Sequence, residues 1–220
     1  LASTTGSSRE ILGVFLETPA VYNEIIAHAV GTTYFKPDID TIFEIGGQDA
    51  KYALLKNKVP IDYAMNEACS AGTGSFLEES ASGDLNITNV RDIGDIAVQA
   101  QGPLKFGEQC SAFINSDIRK AIQLGATRED ITAGIITSIV SNYLNRVVGN
   151  RTIGDNIVLQ GGVALNKAVP LAFAMLMDKN ITIPPDPELL GCFGVGILAK
   201  QKFNDGIIAK GSFVIDDILN

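Results

Sequence analysis

The stretch Thr41-Ile-Phe-Glu-Ile-Gly-Gly-Gln-Asp49 decides the fold. Its first half is a short β-type run, which stops at Gly46 and Gly47. A turn without Cβ atoms lets backbone amides approach a phosphate. A simple glycine turn explains the pair equally well. Gln48 and Asp49 favour the phosphate interpretation, because an amide can orient a water and a carboxylate suits a Mg²⁺ shell.

A second strand-glycine element, Leu159-Gln-Gly-Gly-Val-Ala-Leu-Asn166, has the same order. A buried strand leads into Gly161 and Gly162, and a helix follows whose start could face a nucleotide. Tight packing of strand against helix is the alternative explanation for this pair. Two such elements in one chain indicate more than either alone, since one from each side lines the nucleotide cleft of actin-like ATPases.

The rest of the chain alternates helical and strand patterns. Strands are predicted over 51–56 and 61–65, which form an antiparallel meander with the first strand, and over 156–160 and 181–183. Helices are predicted over 9–30 with a break at Thr18-Pro19, and over 111–125, 127–148, 166–177 and 190–202. This alternation predicts an α/β fold with helices packed on a sheet.

Cys69 and Cys110 stand among polar neighbours, each within two or three residues of a predicted helix start. Helix amides stabilise a thiolate there, which can then ligate a metal or cluster. Two thiolates are too few for a four-iron cluster, so a cluster would require two copies of the chain. Buried, inert cysteines are the alternative. Cys192 lies among apolar residues and is assigned to packing, and His28 to a structural role.

Composition excludes several classes of protein. The chain has 220 residues, with 25 acidic against 17 basic side chains and a formal charge of -8, which argues against nucleic-acid binding and adhesion to anionic lipid. Three cysteines, without a signal-peptide pattern or a long apolar run, predict a reducing, cytoplasmic setting and no membrane span. The chain opens on Leu1 in a Gly/Ser-rich stretch, and we expect it to be part of a longer polypeptide.

Taken together, these motifs resemble the BadF/BadG/BcrA/BcrD-type ATPases, the activators of 2-hydroxyacyl-CoA dehydratases and ATP-binding subunits of benzoyl-CoA reductases. The resemblance extends over nearly the whole chain, and its cysteine strings are the most diagnostic. The matching strings are Glu44-Ile-Gly-Gly-Gln-Asp49 followed by Lys51, Met65-Asn66, Cys69-Ser-Ala-Gly-Thr-Gly74, Cys110-Ser-Ala-Phe113, Gln160-Gly-Gly-Val-Ala-Leu-Asn166 and Gly191-Cys-Phe-Gly194.

The resemblance implies an acetate kinase/actin/heat-shock-type ATPase fold in a homodimer. One [4Fe-4S] cluster would lie between the subunits, held by Cys69 and Cys110 of each copy. ATP binding and hydrolysis would move the cluster-facing helices, and one low-potential electron would pass to a partner dehydratase or reductase. A ferredoxin or flavodoxin-type protein would supply the electron.

On the same basis, the nucleotide residues can be assigned. Gly46 and Gly47 would hold phosphate, and Gln48 and Asp49 would couple the phosphate state and its Mg²⁺ to the cluster. Gly161 and Gly162 would line the adenosine pocket, and Asn166 would also bind the ATP or ADP. The Mg²⁺ role of Asp49 is inferred from its chemistry.

The resemblance also divides the chain. Residues 1–38 would be the last helices of a truncated first subdomain, 39–189 a largely complete second subdomain with the nucleotide and cluster residues, and 190–220 a returning helix and tail. Two alternatives stay open. One is a sugar or small-acid kinase of this fold, with Asp49 as the catalytic carboxylate, and the other is a non-catalytic ATPase-like interaction domain.

Overall fold

The computed structural model describes residues 2–66, 72–107 and 111–208. A single mixed sheet forms the centre of this part of the chain. Its strands are β1 (Thr41–Ile45), β2 (Ala50–Lys56), β3 (Val59–Met65), β4 (Ile157–Gln160) and β5 (Ile181–Thr182). The helices are α1 (Arg9–Phe15), α2 (Glu24–Phe35), α3 (Gly74–Ser82), α4 (Val90–Ala97), α5 (Ser111–Gln123), α6 (Arg128–Asn142), α7 (Ala168–Met177) and α8 (Leu190–Asn204).

The sheet has five strands in the order β3-β2-β1-β4-β5. Strands β1, β2 and β3 form the predicted antiparallel meander, whose tight turn places Asn57 and Lys58 at positive φ. Strand β4 pairs with β1 in parallel, so that Glu44 lies opposite Gln160. Parallel strands end at the same edge of a sheet. The two glycine pairs therefore leave the sheet side by side.

Helices cover both faces of the sheet, which explains why β1 and β4 are buried along their whole length. The larger core lies on the face of α3 to α7, where the rings of Phe43, Tyr143 and Phe173 meet with centroids 5.3 to 5.5 Å apart. On the opposite face, α2 packs over Ile42 and Val158. The division at residue 38 stays a prediction, and α2 packs on the same sheet as the strands that follow it.

Helices α2 and α8 cross in very close contact. A Cβ at Gly194 would lie 1.8 Å from the carbonyl oxygen of Ala27, and one at Gly31 would lie 2.2 Å from that of Leu190. The string Gly191-Cys-Phe-Gly194 thus supplies the small residues for this crossing. The assignment of Cys192 to packing was wrong, because Cys192 is exposed on α8. Successive helical residues point about 100° apart, which turns Cys192 away from the buried Gly191.

The helix boundaries agree with the sequence in most places. Thr127 caps α6 by accepting a hydrogen bond from the amide of Asp130. The same helix continues as a π-helix, Tyr143–Val148, and ends at Gly149 with φ of 58°. The helix expected from residue 166 begins at Ala168, after a 3-10 turn over Gly162–Leu165.

One predicted helix start was wrong and one helix was missed. Helix α5 begins directly after Cys110, as expected, but α3 begins only at Gly74, five positions beyond Cys69. Gly72 has φ of +91°, which no right-handed helix contains, so the helix cannot start earlier than Thr73. Helix α4 was not predicted. No helix in the described ranges is long and apolar enough to cross a bilayer.

Candidate functional site

The turn between β1 and β2 is a hairpin fixed by the beginning of α3. The amide of Gly46 donates to the carbonyl of Asp49 at 2.8 Å and closes the turn. From the start of α3, the amides of Gly74 and Ser75 donate to the carbonyls of Gly46 and Gly47 at 2.9 and 2.8 Å. Gly47 is exposed, and a Cβ there would meet no atom within 4 Å. This hairpin, residues 46–49, therefore has open space at Gly47.

The two glycines of the second pair have different roles. Gly161 has φ of +89°, and a Cβ there would lie 2.3 Å from the carbonyl oxygen of Ile45, so its glycine is required by strand packing. Its amide donates to the carbonyl of Pro187 at 2.9 Å. A Cβ on Gly162, by contrast, would meet nothing within 4 Å. The packing explanation therefore holds for Gly161, and open space exists at Gly162.

Both open glycines line one cavity. It has a volume of about 690 Å³, and its wall includes Gly47, Gly162 and Asn166. Ligand sites in proteins commonly measure roughly 300–1,000 Å³, so this cavity has room for a nucleotide. The structure thus brings together three of the predicted residues. Gly46, Gly161, Gln48 and Asp49 stand behind or beside this wall and do not line it.

Asn166 links the cavity to helix α7. Its Oδ1 accepts a hydrogen bond from the amide of Ala168 at 2.9 Å. Helix α4 approaches it so closely that a Cβ at Gly94 would lie 2.7 Å from Oδ1. Within the described ranges its Nδ2 is buried without a hydrogen-bond partner. A buried donor without a partner costs stability, and a ligand in this cavity could satisfy it, which fits a nucleotide site.

Helix α4 forms a wall that sequence reasoning missed. Arg91 and Asp95 of this helix line the cavity, and Asp95 pairs with Lys167, which also lines it, at 2.6 Å. A signal was present in the sequence: Asn89 caps the helix by accepting from the amide of Arg91, and Ile93 and Ala97 follow at helical spacing. The cavity therefore has glycine loops on one side and charged side chains on the other.

Gln48 joins the hairpin to α3. Its Nε2 donates to Oγ of Ser75 at 2.7 Å, and that hydroxyl donates to the carbonyl of Gly47 at 2.6 Å. Before α3, Asn66 also contacts the hairpin, because its amide donates to the carbonyl of Ala50 at 3.0 Å and its Oδ1 accepts from the amide of Ala50 at 2.8 Å. Residues 67–71 are therefore flanked on both sides by residues bonded to the hairpin region.

Asp49 belongs to an acidic group around a buried lysine. The side chain of Lys51 is only 7% exposed, and its Nζ lies 3.0 Å from Glu44, 3.1 Å from Glu24 and 3.8 Å from Asp49. Burial acts to lower the pKa of Lys51, but the ion pairs with Glu44 and Glu24 outweigh it and raise the pKa overall. Asp49, with 47% of its side chain exposed, is the one carboxylate of the three with wide access to solvent.

Cys69 and Cys110 lie outside the described residues, but the segments next to them rest on α6. Gly72 approaches this helix so closely that a Cβ would lie 3.2 Å from the amide nitrogen of Tyr143. On the other side, Ser138 donates to the carbonyl of Gly107 at 3.2 Å. One continuous helix thus supports the chain close to both cysteines. In the described ranges, no group of three or more His, Cys, Asp or Glu side chains could hold a metal ion.

Known proteins are similar to this chain in sequence and in fold. The family model described as the BadF/BadG/BcrA/BcrD ATPase family matches residues 2–199. The 2-hydroxyisocaproyl-CoA dehydratase activator of Clostridioides difficile is 34% identical over 184 residues, which are 82% of this chain and 67% of that protein.

Two solved structures confirm the predicted ATPase fold. Component A of the (R)-2-hydroxyglutaryl-CoA dehydratase of Acidaminococcus fermentans superposes with a TM-score of 0.82 at 28% identity, covering 90% of this chain and 74% of that one. The activator of the 2-hydroxyisocaproyl-CoA dehydratase from Clostridium difficile, with bound ADPNP, gives 0.80 at 30% identity, covering 94% and 76%.

Proposed function

The chain belongs to the BadF/BadG/BcrA/BcrD ATPase family, and on this premise we propose that it is the nucleotide- and cluster-binding part of an ATP-dependent activator. The activator passes one low-potential electron to a 2-hydroxyacyl-CoA dehydratase or a related acyl-CoA reductase. The names of its relatives support the activator role, since they are dehydratase activators, one of them with bound ADPNP.

One observation carries this proposal. The hairpin that lines the cavity through Gly47 is hydrogen-bonded to Asn66 on one side of the Cys69 segment and to Gly74 and Ser75 on the other. A change in the hairpin therefore reaches both flanks of residues 67–71 through direct contacts. Coupling between two sites needs such a shared element, whose state both sites can bias.

On the nucleotide side, the open faces of Gly47 and Gly162 take the phosphates, and Asn166 with α4 surrounds the nucleoside. The partly exposed carboxylate of Asp49 would bind Mg²⁺. The hydrogen bond of Gln48 to Ser75 couples the position of the hairpin to the start of α3. Gly46 and Gly161 contribute by shaping the two loops rather than by contact.

On the cluster side, Cys69 and Cys110 of two copies would hold one [4Fe-4S] cluster. This group, when bound, supplies a one-electron redox centre whose thiolate ligands come from four cysteines. The chain's own part is to hold Gly72 and Gly107, which lie close to the two cysteines in sequence, against α6 and its continuation, and a second copy completes the ligand set. A ferredoxin or flavodoxin-type donor restores the electron that is passed on.

Anaerobic reconstitution with iron and sulfide tests the cluster. We expect a dimer with about four irons, and loss of the cluster's absorption in both Cys69→Ala and Cys110→Ala. Cys192→Ala is the matched control, because its thiol is exposed on α8 and has no part in the proposed site. A normal cluster in either of the first two variants would show that the ligand assignment is wrong.

Calorimetry with Mg-ADP tests the nucleotide half independently of iron. Binding that is lost when Gly162 is replaced by a larger residue supports the cavity assignment. The kinase alternative requires instead that a phosphorylated small-molecule product forms in the absence of iron. The interaction-domain alternative requires that no Mg-ADP binds at all.

A further inference from the structure

Helix α2 contacts the base of both glycine loops, although it lines no part of the cavity. Its first contact is with Lys51, just beyond the first loop, through Glu24. Its second is with Gln160, just before Gly161, through His28 and Thr32. A single helix is thus bonded to residues at the base of the two loops that line the cavity.

The first contact is ionic and buried. Nζ of Lys51 lies 3.1 Å from Glu24 of α2 and 3.0 Å from Glu44 of β1, and both the lysine and Glu44 side chains are less than a tenth exposed. Buried charges are costly unless they are paired, so the three groups cannot separate without a large penalty. The third carboxylate, Asp49, lies 3.8 Å from the same ammonium group. The position of α2 therefore affects the position of the Asp49 side chain.

The second contact is made by the uncharged amide of Gln160. Gln160 is fully buried at the end of β4, and its Nε2 lies 2.7 Å from Nδ1 of His28 while its Oε1 accepts from the hydroxyl of Thr32. His28 is in turn confined by α8, since a Cβ at Gly191 would lie 3.0 Å from its ring. Nε2 of His28 also lies 3.6 Å from Glu24, which joins the two contacts into one network.

We propose that α2 is a positioning element of the nucleotide site, which sets the first glycine loop through Glu24 and Lys51 and the second through His28, Thr32 and Gln160. It acts through other groups and touches no ligand itself. The inference rests on the proposed nucleotide site and adds the residues that hold its two halves in register. Because Asp49 shares the lysine, the ionic arm acts mainly on the Mg²⁺-dependent part of nucleotide binding.

Two variants test the ionic arm. Glu24→Gln keeps the size of the side chain and removes its charge, and Lys51→Met removes the ammonium group. Lys51→Arg retains the positive charge. Asp38→Asn is the control, because it neutralises a surface carboxylate paired with Lys36 just after the same helix. Lys51→Met leaves a buried carboxylate without its ion-pair partner, which destabilises the folded state. If Lys51→Met does not fold, the result for Glu24→Gln alone tests the ionic contact.

The first measurement is the affinity of the full chain for ADP with and without Mg²⁺. The gain from Mg²⁺ should fall about tenfold in Glu24→Gln and Lys51→Met and stay within about threefold of the native value in Lys51→Arg. A purely structural role predicts instead an equal loss of affinity in both conditions. An unchanged gain from Mg²⁺ in folded Glu24→Gln would overturn the inference.

The second measurement needs no nucleotide. Hydrogen exchange of the full chain should quicken in peptides spanning 46–50 and 160–162 in Glu24→Gln, and not in Asp38→Asn. Exchange that rises evenly throughout the molecule, or not at all in these peptides, would contradict the positioning role. If the native chain binds no ADP, the proposed function fails, while the exchange pattern still decides whether α2 positions the loops.

Discussion

The two glycine loops have similar sequences but are held in place by different forces. In both, one glycine faces the cavity, since Gly47 and Gly162 have open space where a Cβ would stand. The second loop is fixed by steric contact, with Gly161 against the backbone of Ile45, and by the hydrogen bonds of the Gln160 amide. The first is fixed by the ion pairs of Lys51 and by bonds to α3. A glycine pair therefore does not reveal by itself which residue packs and which one leaves space.

The largest effect is expected for Gly161→Ala. The added methyl group would lie 2.3 Å from the carbonyl oxygen of Ile45 at a backbone φ of +89°, so the strand and loop must separate. We expect the free energy of unfolding to fall by about 3 kcal/mol or more, measured by denaturant titration. Gly162→Ala is the matched control and should cost about 1 kcal/mol or less. Equal losses in the two variants would remove the difference between the glycines.

The next effect concerns affinity rather than stability. Gly47→Val places a branched side chain in open space at the cavity wall, where it displaces a phosphate without disturbing the core. We expect the dissociation constant for Mg-ADP to rise by about 10- to 100-fold, with an unfolding free energy within about 1 kcal/mol of the native value. If this variant keeps the native affinity, the phosphates do not bind at Gly47.

Glu24, which supports the first loop through Lys51, predicts a pH dependence of stability. The hydrogen bond with His28 and the charge of Lys51 outweigh burial and lower the pKa of Glu24 from 4.5 to about 2. A lowered pKa in the folded state means stability that is complete above the unfolded pKa and is lost as pH falls from 4.5 toward 2. Since Glu24 is partly exposed, we expect its ionised form to contribute about 1–2 kcal/mol to the free energy of unfolding.

Acid titration of unfolding checks this directly. Glu24→Gln should flatten the dependence of stability on pH in that window, while Gln160→Leu, which removes no ionisable group, should leave the titration of Glu24 in place. An unchanged slope in Glu24→Gln would show that the contacts of Glu24 with His28 and Lys51 do not stabilise the native state.

The smallest effect is expected at Gln48. Gln48→Ala removes the bond to Oγ of Ser75, a contact at the surface that is worth about 1 kcal/mol or less. Stability should hardly change, but hydrogen exchange in peptides spanning 72–75 should quicken. Gln99→Ala, which removes an exposed bond to the carbonyl of Asp95 on α4, is the control. Equal exchange in both variants would mean that Gln48 does not transmit the hairpin's position to α3.

Much of the fold could be predicted because its signals are local. A few neighbouring residues are enough to specify strand β1, its glycine turn, the meander and the Thr127 cap. Helix α4 was missed although its cap is equally local, because its apolar stripe is short. Cys192 was misassigned, since apolar neighbours in sequence do not tell which side of α8 is covered.

The site could be predicted only in part. Gly47, Gly162 and Asn166 were identified from their motifs and share one cavity, whereas the different task of Gly161 depends on a strand that lies far away in sequence. The group around Lys51 could not be foreseen either. Its members come from α2, β1 and β2, and no spacing in the chain shows that their side chains meet.

The sequence by itself determined most of the element types and the two glycine pairs, because turn chemistry and periodicity act over a few residues. The family followed from the resemblance of its motif strings. Only the tertiary structure decided that β1 and β4 run in parallel, so that two distant loops share one edge, and that α2 ties them together. The physical reason is that strand pairing and the burial of charge depend on groups that folding brings together, and their energies belong to the contact rather than to either residue alone.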